Sequence, residues 1–164
     1  TMDISKMTEV SKAMIIILML VGGSPSSTAG GMKVTTFAVM ISVAAAVFQK
    51  RQNGCFFGRR IDDDTVKNAA TVFFMYISLF LLGGIAISKL ENLPLVTCLY
   101  ESASAVGTVG LTLGITPELG AISKLILIAQ MYIGRVGGLT LIFAILPATK
   151  NTLSKLPVEK ISVG

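Results

Sequence analysis

Thr108-Val109-Gly110-Leu111 follows the segment Glu101-Ser102-Ala103-Ser104-Ala105. Extended backbone around a glycine lets successive carbonyl oxygens point to one side, where they replace the water around a cation. If the preceding apolar segment is a half-helix aimed inward, its partly negative end points at the same place. Alone, a Thr-Val-Gly tripeptide is better read as a turn between two helices. Behind an apolar helix too short to cross a membrane, it is expected to be a filter built from the carbonyls of Thr108, Val109 and Gly110, with Leu111 next in line.

A second constellation is Gly22-Gly23-Ser24-Pro25-Ser26-Ser27-Thr28-Ala29-Gly30-Gly31-Met32-Lys33. Apolar, helix-forming sequence lies on both sides, Ala13 to Val21 and Val34 to Phe48. Inside a bilayer such a run strips backbone groups of their i→i−4 partners, and it survives only when buried in protein or lining a water-filled path. The hydroxyls of Ser24, Ser26, Ser27 and Thr28 are expected to re-satisfy part of that backbone. A loop between short helices outside the membrane is the alternative, but neither flank is long enough to span roughly 30 Å by itself. A phosphate-cradling loop is not matched, because Lys33 follows Met32 and precedes Val34 rather than Ser or Thr.

The third feature is Arg135, the only full charge in the apolar run Leu125–Leu146. An arginine at that depth costs at least about 2.5–3.5 kcal/mol unless it faces a cavity or carbonyls. Its central position leaves a long reach for snorkelling to either surface.

Enzymatic chemistry is not expected. The chain has no His and only two cysteines, Cys55 and Cys98, which excludes within it a His/Cys metal site, a thiol–His nucleophile and a Ser-His-Asp triad. Cys55 lies in a basic loop and Cys98 in an apolar stretch, so no disulfide is expected between them. No covalent cofactor is implied.

The elements that must position these residues belong to a membrane protein. Mean hydropathy is +0.77, and 52% of residues are hydrophobic against 14% charged, where a soluble domain carries roughly a quarter charged residues. Ala69–Ser88 is long enough to cross roughly 30 Å of hydrocarbon, and Leu125–Leu146 is expected to be a second span. Leu93–Val106 would make only about 21 Å of helix at ~1.5 Å per residue and reads as a re-entrant half-helix. The net charge of +5 sits beside these segments, so it speaks for membrane orientation rather than nucleic acid. Lys50, Arg51, Arg59, Arg60 and Lys67, with Lys150, Lys155 and Lys160 in the tail, place residues 49–67 and the C-terminus in the cytoplasm. The half-helix then enters from outside. Asp62-Asp63-Asp64 is expected to cap the next helix.

The chain also repeats itself. Ser11-Lys12 recurs as Ser123-Lys124, Ile16 as Ile128, Met19 as Met131 and Gly22 as Gly134, all at one displacement. The expected organisation is therefore an outgoing broken helix over 1–48 with its loop at 22–31, a cytoplasmic loop over 49–68, a complete helix–half-helix–loop–helix unit over 69–146, and a cytoplasmic tail over 147–164. Gly83-Gly84, Gly134, Gly137 and Gly138 read as sites of close helix packing.

Three stretches, Gly22–Lys33, Ser102–Pro117 and Met131–Thr140, resemble the Trk/Ktr/HKT superfamily of potassium and sodium transporters, closest to the bacterial Ktr type. The resemblance covers nearly the full chain apart from residues 49–67 and the tail. It implies an all-α membrane fold of four membrane–pore–membrane repeats around a pseudo-fourfold pore, this chain being the end of the third repeat and all of the fourth. It implies K⁺ at the carbonyls of Thr108, Val109 and Gly110, with Gly110 the key filter glycine. Where potassium channels carry T-V-G-Y-G, this chain reads T-V-G-L-T, which implies fewer carbonyl layers and leaves K⁺ or Na⁺ as the ion. Gly22, Gly23, Ser24, Ser26, Ser27, Thr28, Gly30 and Gly31 correspond to the family's intramembrane gating loop. Arg135 corresponds to a pore-facing arginine, and is expected to donate to carbonyls of Gly22–Gly31, latching the loop and adding a positive barrier. The resemblance also implies a homodimer in the plasma membrane, surrounded by lipid, with a cytoplasmic nucleotide-binding regulatory subunit.

Two readings compete with a pore subunit. A non-conducting assembly or anchor subunit would need neither a polar broken helix nor a central arginine. A peripheral nucleotide-binding protein does not fit two long apolar runs.

Overall fold

A short helix ends the first apolar stretch and a fresh one begins the second. In the computed structural model, which describes residues 7–50, 55–56 and 59–137, helix α1 spans Glu9–Val21. Thr8 starts it, its Oγ1 accepting from the N–H of Ser11 at 3.3 Å, and Glu9 pairs with Lys12 at 3.0 Å. Residues 22–33 are not helical, and α2 runs Val34–Phe48. A two-residue antiparallel pair follows, β1 (Cys55–Phe56) with β2 (Arg59–Arg60), in register Cys55 to Arg60 and Phe56 to Arg59. Then come α3 (Asp63–Glu91), α4 (Leu95–Gly107) and α5 (Ala121–Val136). Apart from the small pair, the regular structure among the described residues is all α. The repeated segments start at equivalent residues, Glu9 in α1 and Ala121 in α5.

α4 is the centre of the molecule, because its small side chains let other helices close around it. Cys98 and every residue from Tyr100 to Gly107 are buried, and α1, α3 and α5 all pack against α4, while α2 leans on α3. Ile16, Met19 and Leu20 of α1 meet Phe80 of α3 and Tyr100 and Ala103 of α4. On the opposite side Ile87, Cys98, Ala105, Leu119 and Leu127 form a second cluster. Two polar side chains drawn inside are tied through their donors: Ser102 Oγ donates to the carbonyl of Phe80 at 2.8 Å, and Gln130 Nε2 donates to Leu79 O at 2.8 Å and Ser102 Oγ at 2.9 Å. Gly83 gives Gln130 its place, since a Cβ there would fall 1.8 Å from the amide nitrogen.

α3 extends the expected 69–88 span at both ends and is the one helix among the described residues long and apolar enough to cross a bilayer. Asp62 occupies the position before its first turn, but no side-chain capping bond forms. Asp63 and Asp64 instead lie in the first turn, where they favour the helix dipole and pair with Arg60 at 3.7 Å and Lys67 at 3.3 Å. The largest correction concerns the run 125–146. Helix α5 begins four residues earlier, at Ala121, and stops at Val136 because Gly137 turns to φ +86. The run is therefore not one uninterrupted helix, and Gly137 terminates α5. Residues 138–146, with Gly138 and Phe143, and the tail 147–164 lie outside the described residues. Cys98 is a free, buried thiol. The outer faces are apolar: Phe74, Leu82 and Ile85 of α3 and Leu125 and Ile128 of α5 are exposed, which suits lipid or further protein.

Candidate functional site

Helix α4 is stopped at the expected filter by a backbone reversal. Thr108 takes left-handed angles, φ 52 and ψ 39, while its N–H donates to Ala105 O at 3.1 Å and that of Val109 to Ser104 O at 3.0 Å. The second bond is the six-to-one closure that turns a chain out of a helix. A β-branched residue in this region is strained by about 1–3 kcal/mol, and residues held in that way gather at functional sites. Val109, Gly110, Leu111 and Thr112 then run exposed. Gly110 has φ +81 and no neighbour within 4 Å of where a Cβ would lie. Its glycine answers a backbone conformation, not crowding.

Below Thr108 lies the Gly/Ser loop. Its two ends are drawn together where Val34 N–H donates to Gly23 O at 3.1 Å. Within it, Ser27 N–H donates to Ser24 O at 2.9 Å and Ala29 N–H to Ser27 Oγ at 3.1 Å. Of the four expected hydroxyls, Ser27 alone satisfies loop backbone among the described residues; Ser26 and Thr28 are exposed, and Ser24 contributes through its carbonyl. Gly30 N–H donates to Thr108 Oγ1 at 2.8 Å, and Gly31 N–H to Gly134 O at 3.1 Å. Three elements meet there at backbone distance. A Cβ at Gly30 would lie 2.6 Å from the Thr108 side chain, one at Gly31 3.2 Å from Gly107 Cα, and one at Gly134 2.1 Å from Val106 O.

Arg135 does not make the expected contact. Among the described residues it donates to no loop carbonyl; α5 reaches the loop through the carbonyl of its neighbour Gly134. The arginine is exposed and lines a cavity of about 750 Å³ together with Glu101, Thr108, Gly110, Leu111 and Thr112. The cation that does hold the loop is Lys33, whose Nζ donates to Ala29 O at 2.6 Å and to Ser27 O at 3.2 Å. Sequence reasoning also passed over Glu101, which is 4% exposed and accepts from three groups of the 112–116 segment. The available signal was an acidic residue inside a largely apolar helix expected to lie at membrane depth, where such a residue is a functional candidate by default.

Comparison with known proteins decides the family. Residues 1–154 match the family model described as TrkH, a cation transport protein. The chain belongs to the TrkH family. This TrkH-family chain is 37% identical over 136 residues to the potassium/sodium uptake protein NtpJ of Enterococcus hirae, covering 79% of the chain and 30% of that protein. It is 36% identical over 110 residues to the Ktr system potassium uptake protein B of Bacillus subtilis, covering 67% and 25%. Over its whole length it is 31% identical to the Ktr system potassium uptake protein B of Vibrio alginolyticus, of which it spans 36%. The chain thus spans about a third or less of these relatives. Family membership and the length and apolarity of α3 together place it in a membrane.

Proposed function

We propose that this TrkH-family chain supplies one filter strand and one gating loop of a cation-uptake pore that carries K⁺, Na⁺ or both. The relatives' names describe potassium or potassium/sodium uptake, and the site's chemistry suits a monovalent cation moving without covalent change. In this reading the carbonyls of Thr108, Val109 and Gly110 face the ion, Leu111 continues the strand, and α4 is the re-entrant half-helix whose C-terminal end favours positive charge. The exposure of residues 109–112 fits a strand that completes its cage with counterparts from the other repeats of a pseudo-fourfold pore.

The observation that carries the reading is the 2.8 Å hydrogen bond from Gly30 N–H to Thr108 Oγ1. It supports residues 22–31 as a gate seated against the base of the filter. Lys33 holds that gate shut, and Arg135 adds a positive barrier from the cavity wall. The chain crosses the plasma membrane more than once with its C-terminus in the cytoplasm, which the basic residues Lys50, Arg59, Arg60 and Lys67 favour. It works as a homodimer beside a cytoplasmic nucleotide-binding subunit; the word "system" in the relatives' names supports the presence of a further component.

The test is Rb⁺ and Na⁺ uptake by the full-length protein in bacteria lacking their own potassium uptake, wild type against Gly110→Asp at matched membrane amounts. Uptake is expected to be abolished in the variant. Equal uptake in the two would remove the filter assignment.

A further inference from the structure

Most of the filter strand is untethered. Gly110 and Gly114 have no neighbour within 4 Å of a Cβ position, and Val109 and Leu111 are exposed. Among the described residues, two hydrogen-bonded ties fix 109–113, beside the packing of the Leu113 side chain on the core between α1, α3 and α4. One is the Val109 N–H bond to Ser104 O at the start, and the other is the side chain of Glu101 at the end. Glu101 sits two turns before the end of α4, buried against the helices that enclose it, so its carboxylate is a fixed point. Oε1 accepts from Thr112 Oγ1 at 2.6 Å and from Leu113 N–H at 2.9 Å, and Oε2 accepts from Thr116 Oγ1 at 2.9 Å. Thr112 Oγ1 in turn accepts from Gly114 N–H at 2.9 Å. A carboxylate suits this work because its two oxygens accept several bonds at once and bonds to it are short and strong.

We propose that Glu101 is a positioning residue that holds the strand after Gly110 in its cation-selective shape. The inference rests on the filter reading above and deepens it. Cage geometry and the stiffness of the carbonyl array both bear on which ion is preferred. A strand held by the Val109 bond and by the packing of Leu113 alone, with no hydrogen bond to Glu101, would let the carbonyls of Val109 and Gly110 swing with the ion, and discrimination would fall. The role lies in hydrogen bonds rather than in charge. In Glu101→Gln the remaining oxygen still accepts from Thr112 and Leu113, and the new NH₂ donates to Thr116 Oγ1, which then turns its own proton to Thr112 Oγ1, 2.9 Å away.

The test is the ratio of Rb⁺ to Na⁺ uptake by the full-length protein at matched membrane amounts, a readout that mere loss of folded protein does not move. Glu101→Ala is expected to lower the ratio about tenfold, the scale of one lost strong hydrogen bond. Thr112→Val/Thr116→Val, which removes two donors outside the core, should lower it in the same direction by less. Glu101→Gln should stay within about twofold of wild type. If Glu101→Ala does not reach the membrane, the double threonine variant decides. A wild-type ratio retained in Glu101→Ala and the double variant, while Gly110→Asp abolishes uptake, would overturn the role of Glu101 and leave the filter standing. A Glu101→Gln ratio as low as that of Glu101→Ala would overturn it in favour of charge. Uptake surviving Gly110→Asp would overturn the filter and this inference with it.

Discussion

Lys33→Met should open the proposed gate. The substitution keeps an unbranched apolar stem and removes two bonds from the loop, one to Ala29 O at 2.6 Å and one to Ser27 O at 3.2 Å. The first is partly buried and charge-assisted, a class whose net contribution is about 1.5–3 kcal/mol. The second is exposed and longer, and adds about 0.5 kcal/mol or less. Together they stabilise the seated loop by roughly 2–3 kcal/mol, which is a factor of roughly 30–150 in the closed-to-open ratio. Water can rehydrate Ala29 O once the ammonium is gone, so the lower end of that range is expected. Initial Rb⁺ uptake by the full-length protein at matched membrane amounts should rise until the open pore limits it. Amide exchange at Ala29, Gly30 and Gly31 should quicken by a similar factor, because loosening the loop exposes those N–H groups. Faster exchange with uptake within about twofold of wild type, less than ~0.5 kcal/mol, would refute the gate while leaving the latch. Unchanged exchange would refute the latch itself.

Two further outcomes follow from neighbouring positions. Gly134→Ala would put a Cβ 2.1 Å from the backbone oxygen of Val106, and with no rotamer to relieve it the overpacking should cost about 1–3 kcal/mol or more; a lower Tm of the solubilised full-length protein is expected, and an unchanged Tm would contradict the close approach of α5 to α4. Arg135→Ala should raise Rb⁺ uptake without altering loop exchange, by roughly fourfold if a unit charge at ~10 Å acts through an effective dielectric of ~40; unchanged uptake would count against the barrier.

Helix limits set by backbone chemistry were legible in the sequence. Val21 and Val34 bound α1 and α2 on the sides where the glycines and Pro25 required, and the short α4 falls at 95–107 against an expected 93–106. At Gly110 the extended backbone was expected, and the φ of +81 is a conformation that suits glycine. Contacts made by carbonyls were not legible. Arg135 looked like the partner of the loop because it is the charged letter in α5, yet the atom that meets Gly31 is the oxygen of Gly134, which every residue type possesses. Lys33 reaches Ala29 and Ser27 only because the loop doubles back over it, a path that spacing does not specify. Gln130 needed the register of three helices before its amide could be matched to Leu79, Ser102 and the gap at Gly83. The end of α5 at Gly137 was not legible either, since a glycine letter does not say whether a close approach or a positive φ requires it.

The two halves of the proposed ion path are held by unequal means, and that inequality is what a gated pore needs. α4 is enclosed by three helices, its end is closed by backbone bonds, and Glu101 fastens the strand that leaves it. Moving that strand means breaking partly buried bonds to a carboxylate that is itself held in a packed interior. The loop beneath has residues 24–28 exposed and is seated by the N–H groups of Gly30 and Gly31, while the ammonium of Lys33 ties the loop to itself at Ala29 and Ser27. The two seating bonds have a net worth of only about 1–3 kcal/mol, because water takes over part of each when it breaks. A regulatory subunit that favoured the open loop by that amount would move it while leaving the filter in place, since a ligand shifts an equilibrium by no more than its differential affinity for the two states. The glycines at 30, 31, 107 and 134 make this division workable, because backbone meeting backbone lets the loop seat closely against Thr108, with Met32, buried beside Tyr76 and Val106, as the side chain that anchors its end.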